Sequence, residues 1–151
     1  MTDSPTATRP PTFVQLPDEI RSFLDDTRFA TIATIDPDGR PRQAVIWYSV
    51  DGDEIVLNSA VGRRWPSNLV RDPRVAFSVV DRADGYHWVG ITGIVTIVDD
   101  QATAQDDIAA MARRYHADDP DEAERLIHGR FEQQARISFR MRAASILNHL
   151  D

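Results

Sequence analysis

The chain has 151 residues, enough for one domain with a substantial core and too few for two independent ones. It contains no cysteine, which excludes disulfides and thiolate metal sites, and its net charge of −7 disfavours nucleic acid as the main partner. All 17 basic residues are arginine, so there is no lysine to form a Schiff base and every strong cationic contact comes from a guanidinium fork.

Residues 1–12 are rich in Pro and Thr and are expected to be a disordered tail. They lack the apolar core of a signal peptide, and no apolar run in the chain approaches the ~20 residues of a membrane span. A cytoplasmic protein without membrane contact is expected. Leu16-Pro17-Asp18-Glu19 opens a helix, with Pro and acids in its first turn and Ile20, Phe23 and Leu24 on one face. Residues 29–35 (FATIATI) read as a strand, and Asp36-Pro37-Asp38-Gly39 as a turn. Residues 43–50 (QAVIWYSV) and 54–58 (EIVLN) read as two further strands joined at Asp51-Gly52-Asp53, completing a meander.

A loop over 59–65 precedes a short helix predicted to begin at Pro66 and to stop at Asp72-Pro73. Residues 74–80 (RVAFSVV) form a fourth strand and 86–98 a long fifth, in which Gly90 and Gly93 permit a bend or bulge. Gln101–Tyr115 has a helical stripe of Ile108, Met111, Ala112 and Tyr115, and a further helix is expected over 121–128. Ala135, Ile137, Phe139 and Met141 then alternate with Arg136, Ser138, Arg140 and Arg142, a clear strand period. Six or so antiparallel strands, with two helices inserted before the last, predict a mainly β, α+β fold over 13–151: a closed or split barrel. A parallel doubly wound sheet would need a helix after every strand.

Charge is unevenly spread. Residues 99–124 hold nine acids and two arginines, whereas 40–74 hold six arginines and four acids, so anion-binding potential lies mid-chain. Arg63 and Arg64 follow Gly62 between a strand and a helix, where guanidinium groups and free N–H donors can converge on one anion; Asn68, a turn later, can add an amide. The plainer reading is a solvated basic loop. Trp47, Tyr48, Tyr86 and Trp88 offer flat surfaces for a ring, or simply pack in a core or interface. His87 lies between two of these aromatics, within reach of a ligand. The four histidines, His87, His116, His128 and His149, show no metal-ligand spacing, and no Ser–His–Asp or paired-carboxylate arrangement suggests hydrolysis.

Taken in order, Thr31–Ile35, Asp38-Gly39-Arg40-Pro41, Trp47-Tyr48, Gly62-Arg63-Arg64, Asn68-Leu69, Arg71-Asp72-Pro73-Arg74-Val75, Gly90-Ile91-Thr92-Gly93 and Arg136–Arg140 resemble the pyridoxamine-phosphate-oxidase-like split β-barrel family. The resemblance spans roughly residues 14–150. Within the family it is nearest to the actinobacterial flavin/deazaflavin oxidoreductases that use coenzyme F420. It implies an F420-dependent reductase passing a hydride to a conjugated small molecule, and a homodimer with cofactor sites at the subunit interface. Arg63 and Arg64 would hold the cofactor phosphate, assisted by Asn68. Asn58 and Ser59 would approach the ring, Gln43, Val45 and Trp47 would line it, and Tyr86, His87 and Trp88 would cover it from the partner. Trp65 and Pro66 stand where the family often has a lysine, which keeps FMN as an alternative cofactor. An FMN-dependent oxidoreductase and a non-catalytic F420 or FMN carrier are the alternative functions.

Overall fold

The computed structural model describes residues 12–151, so the expectation for the tail falls almost wholly outside the described residues. Chain order is α1 (Asp18–Asp25), β1 (Ala30–Ile35), β2 (Pro41–Ile46), β3 (Ser49–Asp51), β4 (Glu54–Ala60), α2 (Arg64–Arg71), β5 (Arg74–Val80), β6 (Trp88–Val98), α3 (Gln101–Tyr115), α4 (Pro120–Gly129) and β7 (Arg136–His149), with a single 3-10 turn over Phe131–Gln133. The strands form one antiparallel sheet in the order β2-β1-β5-β6-β7-β4-β3.

The sheet is not closed by hydrogen bonds, yet it must curl. Its two edge strands, β2 and β3, are consecutive in the chain. Three peptide steps of about 3.8 Å join Ile46 to Ser49, so the edges approach within about 11 Å there. The expected single strand over 43–50 is therefore two strands on opposite edges. The break falls at Trp47-Tyr48, where the Tyr48 N–H donates to the Tyr115 hydroxyl on α3 at 3.2 Å rather than to a strand. The Tyr48 side chain is fully buried, and its hydroxyl donates to the Leu24 carbonyl at 2.7 Å.

Inside the curl, Ile32, Tyr48, Leu57, Phe77, Ile91, Phe139 and Met141 form the main core with Leu16, Ile20 and Leu24 of the α1 region. A second, smaller core lies on the outer face of β4, where Val56 meets Ile108, Met111 and Ala112 of α3, Ile127 of α4 and Phe131. Strand β4 is consequently buried on both faces, as its unbroken apolar run IVL suits. The inserted helices also change the meaning of β7. The first half of its polar alternation does not face solvent: Arg136 and Ser138 are buried beneath the insertion, whereas Arg142 is exposed.

The expected irregularity in the long strand is present. The β6–β7 register shifts between Thr92 and Gly93, and a Cβ on Gly93 would sit 2.0 Å from the Arg142 carbonyl oxygen. Helix α2 begins at Arg64, two residues before Pro66, because Gly62 turns the chain at φ +95° immediately upstream. No helix among the described residues is long and apolar enough to cross a membrane.

Candidate functional site

At the rim of the curled sheet, next to the β2–β3 break, is a cavity of about 250 Å³. Its walls come from Val45–Trp47 at the end of β2, Asn58 and Ser59 at the end of β4, Arg63 and Trp65 around the start of α2, Leu126 of α4, Arg130, Phe131 and Arg136. Six residues singled out in the sequence thus come together: Val45, Trp47, Asn58, Ser59, Arg63 and Trp65.

The other six lie elsewhere in this chain. Gln43 borders a second groove, on the face formed by β1, β5, β6 and the far half of β7. Arg64 and Asn68 border a third depression, beside Asp36 and Arg71. Arg64 sits 3.6 Å from the Asp36 carboxylate, and the buried Asn68 amide donates to Thr34 Oγ1 at 3.1 Å and Asp36 Oδ1 at 2.9 Å. With Arg42 adding a 2.9 Å contact, the Asn68 bond and then the Arg42 bond hold the Asp36 carboxyl below its ordinary range. The Asn68 amide and the Arg64 charge are therefore engaged by their own chain, away from the cavity. Tyr86 is 88% exposed, His87 lies 3.6 Å from Asp84, and Trp88 stacks on His149 with ring centroids 4.3 Å apart.

Trp47 closes one side of the cavity. It stacks on Tyr115 at 5.0 Å and 7°, and meets Phe131 edge-on at 6.2 Å, so its ring is fixed by the insertion. Trp65 is turned inward against Phe139 at 6.0 Å, and with the buried Pro66 it anchors α2 to the barrel. The Asn58 amide donates to the Ala104 carbonyl and to Ser138 Oγ, both at 2.8 Å, which leaves its oxygen to accept from Arg136. The Ser59 hydroxyl is buried and makes no hydrogen bond within the chain.

Sequence reading missed Leu126, Arg130, Phe131 and Arg136. The β7 alternation had placed Arg136 opposite the core face, but only the packing of α3 over that strand shows that the opposite face is also interior. The cavity wall carries three arginines and no carboxylate, imidazole, thiol or phenol side chain. Such a wall suits an anion and offers no acid–base pair.

The family described as Pyridoxamine 5'-phosphate oxidase matches residues 16–144. The chain belongs to this family. Among solved structures it is similar to one named an F420 reductase, at 24% identity and a TM-score of 0.68, covering 87% of this chain and 98% of that one. It is also similar to the conserved hypothetical protein Rv2991 from Mycobacterium tuberculosis, at 27% identity and a TM-score of 0.72, covering 95% and 91%. A third is HutZ, the heme storage protein from Vibrio cholerae, at 19% identity and a TM-score of 0.66, covering 89% and 95%.

Proposed function

We propose that the chain is an F420-dependent reductase acting on a conjugated small molecule. The observation that carries this reading is one cavity in which arginines without a carboxylate partner, a serine hydroxyl without a hydrogen bond, both among the described residues, and a fixed aromatic ring meet. Those residues fit a flat heterocycle with an anionic tail, and the similarity to the F420 reductase supports the deazaflavin. When bound, the reduced cofactor supplies a hydride to an electrophilic carbon of the substrate.

This chain's residues bind, orient and exclude water. Arg63 takes part of the anionic tail. Asn58, held by Ala104 and Ser138, and Ser59 offer polar contacts from a rigid strand end. Val45, Ile46 and Trp47 form the apolar wall. The wall carries no carboxylate, imidazole, thiol or phenol, so the proton that balances hydride transfer would come from beyond it, from solvent or from the segment that covers the site.

A second copy of the chain completes the site. The groove beside Gln43 is lined by small residues such as Ala33, Ala76, Ser78 and Gly90, with Leu147 59% exposed. Gln43, Val45 and Trp47 are alternate residues of one edge segment, so groove and cavity share that edge. A partner seated on the groove would bring its own Tyr86–Trp88 segment towards the cavity mouth.

FMN bound in the same cavity is the alternative cofactor, and a carrier without turnover is the alternative function. Haem is a poor fit there, because the wall presents no His, Cys, Met or Tyr ligand. Substrate-dependent loss of the reduced deazaflavin's absorbance is the expected result with a quinone, enone or tetrapyrrole. Binding of F420 with no turnover of any of these would favour the carrier instead.

A further inference from the structure

We propose that Arg136, together with Arg130 and Arg63, forms the oxyanion site of this cavity and takes the phosphoryl group of the ligand. The proposal rests on the reading of the cavity given above, but it relocates the anion, from the consecutive pair Arg63–Arg64 to three arginines contributed by α2's leading loop, the end of α4 and the start of β7.

Arg136 is 5% exposed, yet it faces neutral acceptors only. Its Nε and Nη2 donate to Asn58 Oδ1 at 3.1 and 2.9 Å, and its Nη1 donates to Gln134 Oε1 at 2.6 Å. Those bonds leave two of the five guanidinium N–H groups free for a ligand. The Phe131 ring lies over the guanidinium at 4.9 Å and fixes its plane.

No carboxylate lies within 4.0 Å of Arg136, Arg130 or Arg63 among the described residues. The nearest acid in the same hydrogen-bond chain, Asp107, is already satisfied. It accepts from Arg140 at 3.0 Å and from Ser138 Oγ at 2.7 Å. Two neutral side chains, Ser138 and Asn58, separate it from Arg136 along that chain. A buried cation without a counter-ion is costly, and two more cations facing it raise that cost. Burial first, then Arg63 and Arg130, pull Arg136 down to about 10. It still carries its charge at neutral pH. A ligand with phosphoryl oxygens relieves the repulsion and completes the bonding of all three guanidinium groups. Arg64 differs because it lies 3.6 Å from the Asp36 carboxylate and borders a separate depression.

Two sources share this chemistry: the terminal monoester of FMN, and the diester of F420 with its carboxylate-bearing tail. The test is calorimetric titration of the full chain with F420, FMN and riboflavin at fixed ionic strength, alongside thermal shifts with inorganic phosphate. Arg130 is exposed at the cavity mouth, so Arg130→Ala should fold normally. Arg130→Ala and Arg136→Met are each expected to weaken the preferred phosphorylated ligand about tenfold or more, while Arg64→Ala leaves it within about twofold. Riboflavin, lacking phosphate, should not distinguish the variants. Preference for FMN assigns a monoester and preference for F420 a diester; either supports the site if Arg130→Ala weakens it.

If Arg136→Met does not fold, Arg130→Ala and Arg63→Ala against Arg64→Ala decide the matter. Loss of binding confined to Arg64→Ala overturns the proposal. F420 binding that ignores Arg63, Arg130 and Arg136 also overturns it while leaving the cofactor reading intact. Phosphate stabilisation lost in Arg130→Ala, in a protein that binds no F420, upholds the oxyanion site and sinks that reading.

Discussion

Asn68 shows how a residue's chemistry can be legible while its partner is not. Its spacing after Arg63-Arg64 invites an anion, but the fold brings Thr34 and Asp36 to its amide first. Asn68→Ala is therefore expected to cost about 1–3 kcal/mol of stability, read from the urea midpoint, with cofactor affinity unchanged. A large loss of affinity without loss of stability would return Asn68 to the binding site. The same cluster sets an acid limit. Because the Asp36 carboxyl is held below its ordinary value of 3.8, its contribution is present above that pH and lost as pH falls through the lower folded value. Asp36→Asn should melt lower than wild type at pH 6, with the gap closing below pH ~4. Arg136 was hidden for the opposite reason. An arginine in an alternating strand reads as solvated, and no local pattern announces that α3 and Phe131 from the segment inserted before that strand will cover it.

At the scale of elements, helices α1 and α3 and strands β1 and β5 were legible because capping residues, turns and periodicity agreed. The 43–50 strand was not, since its break at Trp47-Tyr48 has no Gly or Pro and is imposed by Tyr115 from across the molecule. The β6–β7 bulge was legible through its glycines. Gly93→Ala must displace backbone at Arg142, and is expected to cost about 3 kcal/mol or more. Gly90→Ala meets the movable Trp88 ring at 2.8 Å, and should cost clearly less. Equal midpoints for the two variants would contradict this account of the bulge. In α4, His128 lies 3.0 Å from Glu124 and 2.8 Å from Glu132, and the Glu132 bond first raises its pKa above 6.5. Its contribution is full below about pH 6.5 and lost as pH rises through the folded value. Wild type should lose its thermal advantage over His128→Gln between mildly acidic and mildly alkaline pH; a gap constant with pH would remove His128 from this role.

The whole molecule follows from a sheet whose two edges are neighbours in sequence. Curling brings the end of β2 to the end of β4, and the space between them is closed by Arg130 and Phe131 from the insertion and by Arg136 at the start of β7. The barrel class was readable from strand count and helix placement. The cavity was readable only along residues 45–65, because Leu126, Arg130, Phe131 and Arg136 join it through long-range packing that spacing does not encode. If the proposed dimer forms through the face beside Gln43, Leu147→Asp should shift the sedimentation mass from dimer to monomer, and an unchanged mass would exclude that face. The central claim, that this cavity holds a deazaflavin, is tested most directly by fluorescence titration of the purified protein with F420 and FMN in parallel. Saturable F420 binding tighter than FMN, and weakened by Trp47→Ala, is the predicted result. Tight FMN binding with no F420 saturation would contradict it.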